Sequence, residues 1–464
     1  VKTKHKRILG VIAGCLGLAS LGVGGWLALR IFPIGTGAVA KTVCSDVFVA
    51  GREAEGLLAE ELPKAFFVSY EVDASAGTVT ADAYGLQAKT AVHRPGLGCA
   101  LALDVEPEQL RAEGFEVTPR PASDAPWPAG EGTDPRPDPP GLDRAALEAA
   151  IDEVFAVPDE GPPLNTRAVL VVHRGRLLAE RYAPGFDAGT PQLGWSMTKS
   201  VTSALVGILV GRGEIDIDAP IGFASWSAPD DPRAELTWDH LLRMSSGLEF
   251  NEDYGLRTDV TVMLYDVHDG SSLPLERELA APVDTTWYYS SGTTNLLTRR
   301  IREVLGDDAA YHRFPHDALF EPVGMHSAVM ETDPSGTFVG SSFMYATPRD
   351  WARFGQLYLQ DGVWEGERIL PDGWVARSVA PTPTHPSAGY GMQWWLNAAE
   401  DPEQRALPGV PPDAYFASGH QGQMVLVVPS REAVIVRHGM TNGVKWPRAE
   451  FAAAVLAAVP DADR

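Results

Sequence analysis

Lysine is scarce in this sequence, with 8 against 30 arginines among 464 residues, and from residue 142 onward only Lys199 and Lys445 remain. Arginine serves an ordinary charged surface equally well, but it cannot give up its proton, whereas a desolvated lysine can. Cysteine is scarcer still, at three residues. No Cys/His cluster has zinc-ligand spacing, so neither a metal nor an organic cofactor is implied. Basic charge is short as well. The first 30 residues hold five basic and no acidic side chains, which leaves 33 basic against 61 acidic for the rest. So acidic a surface repels phosphate backbones and anionic headgroups, which argues against nucleic-acid binding. The 45% hydrophobic and 21% charged content is that of a globular protein and argues against disorder.

One long apolar run stands out, the 22 uncharged residues Ile8 to Leu29. At about 1.5 Å per residue such a helix just spans a hydrocarbon layer of about 30 Å. Lys2, Lys4, Lys6 and Arg7 precede it, which places that end in the cytoplasm and the chain after Arg30 outside. Ala38-Val39-Ala40 resembles a signal-peptidase site, but the length of the run favours a retained anchor in residues 1–32 over a cleaved signal. Ile12-Ala13-Gly14-Cys15 reads like a lipobox, yet the apolar run continues past it and favours a membrane-buried cysteine. Gly10 and Gly14 form a GxxxG pair of the kind that a glycine-rich segment produces by chance. Cys44 and Cys99 lie in the exported part, where disulfides persist. A bridge between them is expected, with two buried thiols as the alternative.

Residues 41–120 read as a small α+β module, with a helix over Arg52–Leu62 and strands over Phe67–Ser75 and Thr78–Tyr84. Nothing in it looks catalytic. Residues 121–141 have the Pro/Gly/Asp composition of a linker. Residues 142–464 form the main domain. It opens with a helix over Asp143–Phe155 and a hairpin of Ala168–His173 with Leu177–Tyr182. A long helix starts near Ser196, and Thr347-Pro348-Arg349-Asp350 has the form of a helix start. The strands Met424–Val428 and Ala433–Arg437 and a last helix, Pro447–Ala458, close the domain. Strands at both ends and helices between them predict an α+β domain with a mostly antiparallel sheet and a helical subdomain.

The chemistry centres on Ser196-Met197-Thr198-Lys199. Three residues on a helix is nearly one turn, so the serine and lysine share a face. The helix N-terminus offers backbone N–H groups and a positive dipole end to a developing oxyanion. Apolar Val201, Ala204 and Leu205 can desolvate Lys199, so that it acts as a neutral base.

These residues resemble the first motif of the penicillin-binding protein and serine β-lactamase superfamily. The order of the later motifs is similar to its class C branch, which includes carboxylesterases, D-amino-peptidases and 6-aminohexanoate-dimer hydrolases. Gly213 to Pro220 resembles the turn behind the nucleophile helix, Leu241 to Gly247 resembles an L-L-x-x-T-S-G stretch, and Tyr289-Ser290-Ser291 resembles the Tyr-x-Asn motif. The resemblance covers about 142–464 and implies a β-lactamase/transpeptidase-like fold. It gives Tyr289 the role of a second acid/base. A neighbouring ammonium would help hold a phenolate, so Lys199 and Tyr289 are expected to act as one coupled unit. Ser291 stands where the family has Asn and is expected to reach a substrate carbonyl. The Lys-Thr-Gly motif is replaced by His420-Gln421-Gly422, with an oxyanion N–H expected from Gln423. The missing lysine predicts weak or absent penicillin turnover. Tyr390 and Trp394-Trp395 are candidates to wall the pocket, and Glu249, Glu252 and Asp253 read as a solvated acidic loop.

The reading is a membrane-anchored, extracytoplasmic serine hydrolase working through an acyl-enzyme on a small amide or ester, with a peptidoglycan D-peptidase or a β-lactamase as alternatives. The rival of another class is a membrane-tethered scaffold on an inactive hydrolase fold.

Overall fold

The computed structural model describes residues 25–26, 29–117 and 123–461. The lipobox, the GxxxG pair and nearly all of the apolar run lie outside the described residues. Among the described residues no helix is long and apolar enough to cross a membrane.

The N-terminal part is built on helix α1 (Phe32–Phe48), which Pro33 opens at its first turn. It lies across a four-stranded antiparallel meander of β1 (Ser69–Asp73), β2 (Thr78–Ala83), β3 (Leu86–Arg94) and β4 (Gly98–Leu101). Cys44 on α1 is bridged to Cys99 on β4. The helix expected over Arg52–Leu62 shrinks to α2 (Leu57–Glu61), because Gly56 ahead of it adopts a left-handed conformation. Arg52 is instead spent on Asp46, Glu60 and Glu61. Ala38-Val39-Ala40 sits inside α1, with Val39 and Ala40 fully buried.

This part shares its core with the main domain. Val39, Val43, Val79 and Ala91 cluster with Val260, Met263, Leu264, Val339 and Phe343. A buried Lys41–Glu331 ion pair ties α1 to the main domain, and Glu331 also accepts from the Ser45 hydroxyl (2.8 Å) and the Cys99 amide (2.7 Å). The proline-rich stretch is docked too. Trp127 is buried, and Arg353 donates to the Gly130 carbonyl (3.0 Å) and the Glu131 carboxylate (2.7 Å). The composition of a linker was therefore misleading there, because its carbonyls find buried arginines as partners.

The main domain begins with α3 (Arg144–Phe155), capped by the Asp143 side chain. It continues with β5 (Thr166–His173), β6 (Arg176–Tyr182), α4 (Thr198–Gly211), α5 (Ser291–Leu305) and α6 (Pro348–Leu359). It closes with β7 (Trp395–Leu396), β8 (Tyr415–Gly419), β9 (Gln423–Val428), β10 (Ala433–Gly439) and α7 (Arg448–Ala458). The sheet has the order β7-β8-β9-β10-β5-β6, and every neighbouring pair is antiparallel. Both of its faces are covered, so β5 reads as a continuous apolar run: Ala168, Leu170 and Val172 face one core, and Val169 and Val171 the other. Helices α3 and α7 share the second core, α4, α5 and α6 contribute to the first, and the turn just ahead of α4 packs against β8.

Candidate active site

Ser196 lies in a single 3-10 turn, Trp195–Met197, that leads into α4. Trp195 has a positive φ of 48°, a conformation that a bulky residue adopts only where its surroundings enforce it. The enforcing contact is β8: a Cβ on Gly419 would lie 2.2 Å from the Gly194 carbonyl oxygen, so only glycine lets the strand end approach this turn.

One turn into the helix, Lys199 is fully buried and its ammonium donates to three oxygens: Ser196 Oγ at 3.3 Å, Ser291 Oγ at 2.9 Å and the Ser341 carbonyl at 2.9 Å. Burial lowers its pKa to about 8, against the opposing charge of Glu252. Tyr289 is placed by the segment before α5, where the Tyr288 amide donates to the Met244 carbonyl and the Ser290 side chain caps the helix. Its phenol interacts with the Ser196 hydroxyl, and Lys199 Nζ stands 4.8 Å from the ring centroid. Burial pushes the Tyr289 pKa up, and the interaction with Ser196 opposes this only in part. The ammonium sits over the ring face, and burial works against the phenolate expected from the sequence.

Ser291 is corrected likewise. Its hydroxyl donates to Glu252 at 2.6 Å and accepts from Lys199, and its amide donates to Glu252 at 2.7 Å, so it holds the site together and is not free for a substrate carbonyl. Glu252 is the residue the sequence reading misplaced. It turns inward from the acidic loop, and burial raises its pKa while Lys199 lowers it. Two positions on, the Tyr254 ring stacks on His420 at 5.7 Å, and its hydroxyl interacts with Ser291. Ring size and spacing gave no signal that this loop would close over the serine.

Gln423 follows the His420-Gln421-Gly422 turn and opens β9. It lies in register with Gly419 across the β8–β9 hairpin. Its side chain is consumed by the His420 and Gly439 carbonyls and the Gly439 amide. His420, the first residue past β8, stands edge-on to Trp195 at 5.6 Å. Gly422 has a φ of 90°, and a Cβ there would lie 2.3 Å from the Arg437 guanidinium. Of the candidate wall residues, Trp395 stacks on Tyr289 at 5.6 Å and Tyr390 meets it edge-on at 6.1 Å. Trp394 points the other way, into the core with Phe354 and Tyr358. Among the described residues no group of His, Cys, Asp and Glu is arranged to hold a metal ion.

Comparison with known proteins places this arrangement. The family model described as Beta-lactamase matches residues 164–460. A 6-aminohexanoate-dimer hydrolase of Paenarthrobacter ureafaciens is 26% identical over 321 residues, 60% of this chain and 76% of that protein. A penicillin-binding protein homologue of Caulobacter crescentus superposes with a TM-score of 0.52 at 15% identity, over 68% of this chain and 97% of the other. A family VIII carboxylesterase superposes with a TM-score of 0.50 at 16% identity, over 68% and 95%. At such identity these two structures speak for the fold alone.

Proposed function

This chain belongs to the beta-lactamase family and, with it, to the serine hydrolases of amide and ester bonds; from that premise we propose a membrane-anchored hydrolase with a Ser196-Lys199-Tyr289 centre. The observation that carries the proposal is the buried Lys199 amine, 3.3 Å from Ser196 Oγ with its pKa lowered to about 8. Neutral Lys199 takes the proton of Ser196 as Oγ attacks the carbonyl carbon. The backbone N–H groups of Ser196 and His420 receive the oxyanion. The tetrahedral intermediate expels its alcohol or amine, which takes a proton delivered through the Tyr289 phenol. Water then attacks the acyl-enzyme and restores the Ser196 hydroxyl.

Within this reading, an esterase or linear-amide hydrolase, similar in substrate to the 6-aminohexanoate-dimer enzyme it matches, leads over a D-peptidase or a β-lactamase. His420 stands where a substrate carboxylate would need a lysine, and desolvation lowers its pKa, which disfavours the charged form. Slow penicillin turnover is the expected outcome, checked by spectrophotometric hydrolysis with a chromogenic cephalosporin alongside a short-chain ester.

The test of the centre is covalent labelling of the full chain with a serine-reactive phosphonate, read by peptide mass mapping. One adduct on Ser196, absent from Ser196→Ala, is expected. A folded protein that takes no adduct would instead favour the inactive scaffold.

A further inference from the structure

Exposed large apolar side chains gather at one end of the molecule. Phe66 is 82% exposed, Tyr84 74% and Leu86 51%, and Trp26 (53%) and Leu29 (69%) stand on the approach to α1. The ring cluster is contiguous. Phe32 stacks on Phe67 at 5.6 Å and meets Tyr84 at 6.1 Å, while Phe66 packs edge-on against Phe67 at 5.9 Å. Leu86 follows Tyr84 around the β2–β3 turn, paired with Ala83. Single apolar residues on a surface need no account, but a contiguous aromatic patch marks a contact surface.

Two observations say what it contacts. The uncharged run Ile8–Leu29 ends three residues before Phe32, the first ring of the cluster. In a helix that is about 5 Å. A patch so close to the end of a bilayer-length segment lies at headgroup depth, where Tyr, Trp and Phe are favoured. Moreover, the patch borders the mouth of the active site. Leu62, four residues before Phe66, lines one cavity with Trp195, Gln421 and Gln423. Trp195 meets His420 edge-on at 5.6 Å, and His420 carries the stacked Tyr254.

We propose that Phe32, Phe66, Phe67, Tyr84 and Leu86 form a bilayer-contact face that sets the active-site mouth at the lipid–water boundary, and that the substrate is an amphiphilic ester or amide whose acyl chain is partitioned into that bilayer. This rests on the N-terminal anchor and the Ser196 centre proposed above. The acidic body is repelled by anionic lipid, so apolar insertion, not charge, supplies the adhesion. Only the carbonyl end of the substrate must leave the bilayer. Its carbon forms a bond to Ser196 Oγ as the bond to the leaving oxygen or nitrogen breaks, and the serine proton ends on that leaving group. Water then releases the fatty acid, which returns to the bilayer.

The test uses the full chain with Cys15→Ser, reconstituted into phosphatidylcholine vesicles, with a nitroxide on a cysteine at position 66, 84 or, as an exposed control, 400. Labels at 66 and 84 should collide more with oxygen than with a water-soluble nickel chelate, and the label at 400 the reverse. A vesicle-bound protein with water-exposed labels at 66 and 84 overturns the contact face and leaves the anchor standing. Labels shielded from both quenchers mean that the chain's own N-terminal segment covers the patch, which also overturns it. No association with vesicles removes anchor and proposal together. For the substrate, the double variant Phe66→Ser/Tyr84→Ser should lose on the order of tenfold in turnover of a vesicle-embedded long-chain ester and keep its turnover of a soluble short-chain ester. Equal loss on both, or none on either, overturns the interfacial reading. Failure of wild type on both esters, with no phosphonate adduct, is a failure of the hydrolase reading instead.

Discussion

Lys199 is the residue whose environment decides the pH at which this site works. Burial lowers its pKa to about 8, and the Glu252 charge opposes that shift. With the neutral amine as the proposed base, kcat/KM should rise with pH through about 8 and level off above it, falling about tenfold per unit well below it. Glu252→Gln removes a charge that favours the ammonium. The midpoint of the profile should therefore move to lower pH, even though the Ser291 contacts weaken and the maximal rate falls. A pH–rate profile of the two proteins on one soluble ester checks the sign; an unchanged or higher midpoint would show that the carboxylate is not coupled to the base. Tyr289→Phe keeps the ring that stacks on Trp395 and removes only the proton donor. It is expected to lower kcat by about 10²- to 10⁴-fold, with little change in KM.

At the scale of elements, the hairpin of β8 and β9 carries the proposed oxyanion N–H, and it is braced from behind by Arg437 on β10. This guanidinium is fully buried and donates to the carbonyls of Gln421 and Gly422 on the hairpin turn. It also donates to the Leu164 carbonyl and to the Thr166 and Thr441 hydroxyls. Burial lowers its pKa to about 9. Gly422 and Gly439 make the slot, since a Cβ on either would lie 2.3 Å from the guanidinium. Arg437→Met takes the guanidinium from the Gly422 carbonyl, leaves the Gln421 carbonyl with only the Thr441 amide, and loosens the turn that presents His420. The loss should fall on kcat and on phosphonate labelling, up to the roughly 10²-fold that a missing oxyanion donor costs. Arg437→Lys should restore part of it, and thermal unfolding of both variants separates this effect from a fall in stability.

Over the whole molecule, the N-terminal part and the hydrolase domain are expected to unfold as one unit, because they share a core and a buried ion pair. Lys41→Met leaves Glu331 buried without its cation. The expected cost is about 3–5 kcal/mol, read as a lower midpoint of a single denaturant transition by both near-UV and far-UV circular dichroism. Two separate transitions would show that the N-terminal part is independent. Its four strands and the docked stretch around Trp127 thus belong to the mechanics of the enzyme: α1 and β4 hold Glu331, and the segment from Arg52 to Phe67 runs past the active-site mouth.

The sequence alone gave the geometry that depends on local spacing. Ser196 and Lys199 share a helix face because three residues make nearly one turn, and the rarity of lysine after residue 142 drew attention to Lys199, which is buried. The α+β architecture and its antiparallel sheet were legible from strand periodicity at the two ends of the chain, and the Cys44–Cys99 bridge from the shortage of cysteines. Tertiary structure alone decided what depends on distant packing. Glu252 reads as a solvated acid until a loop closure lays it against Ser291, 39 residues away in the chain. The pairing of Gly419 with Gln423, which puts His420 in the turn past β8, is set by cross-strand contacts that a Gly-rich turn does not announce. The Phe32–Phe48 helix and its partners likewise took their place from apolar side chains of the main domain, since burial is a property of the pair of surfaces that meet and not of either segment by itself.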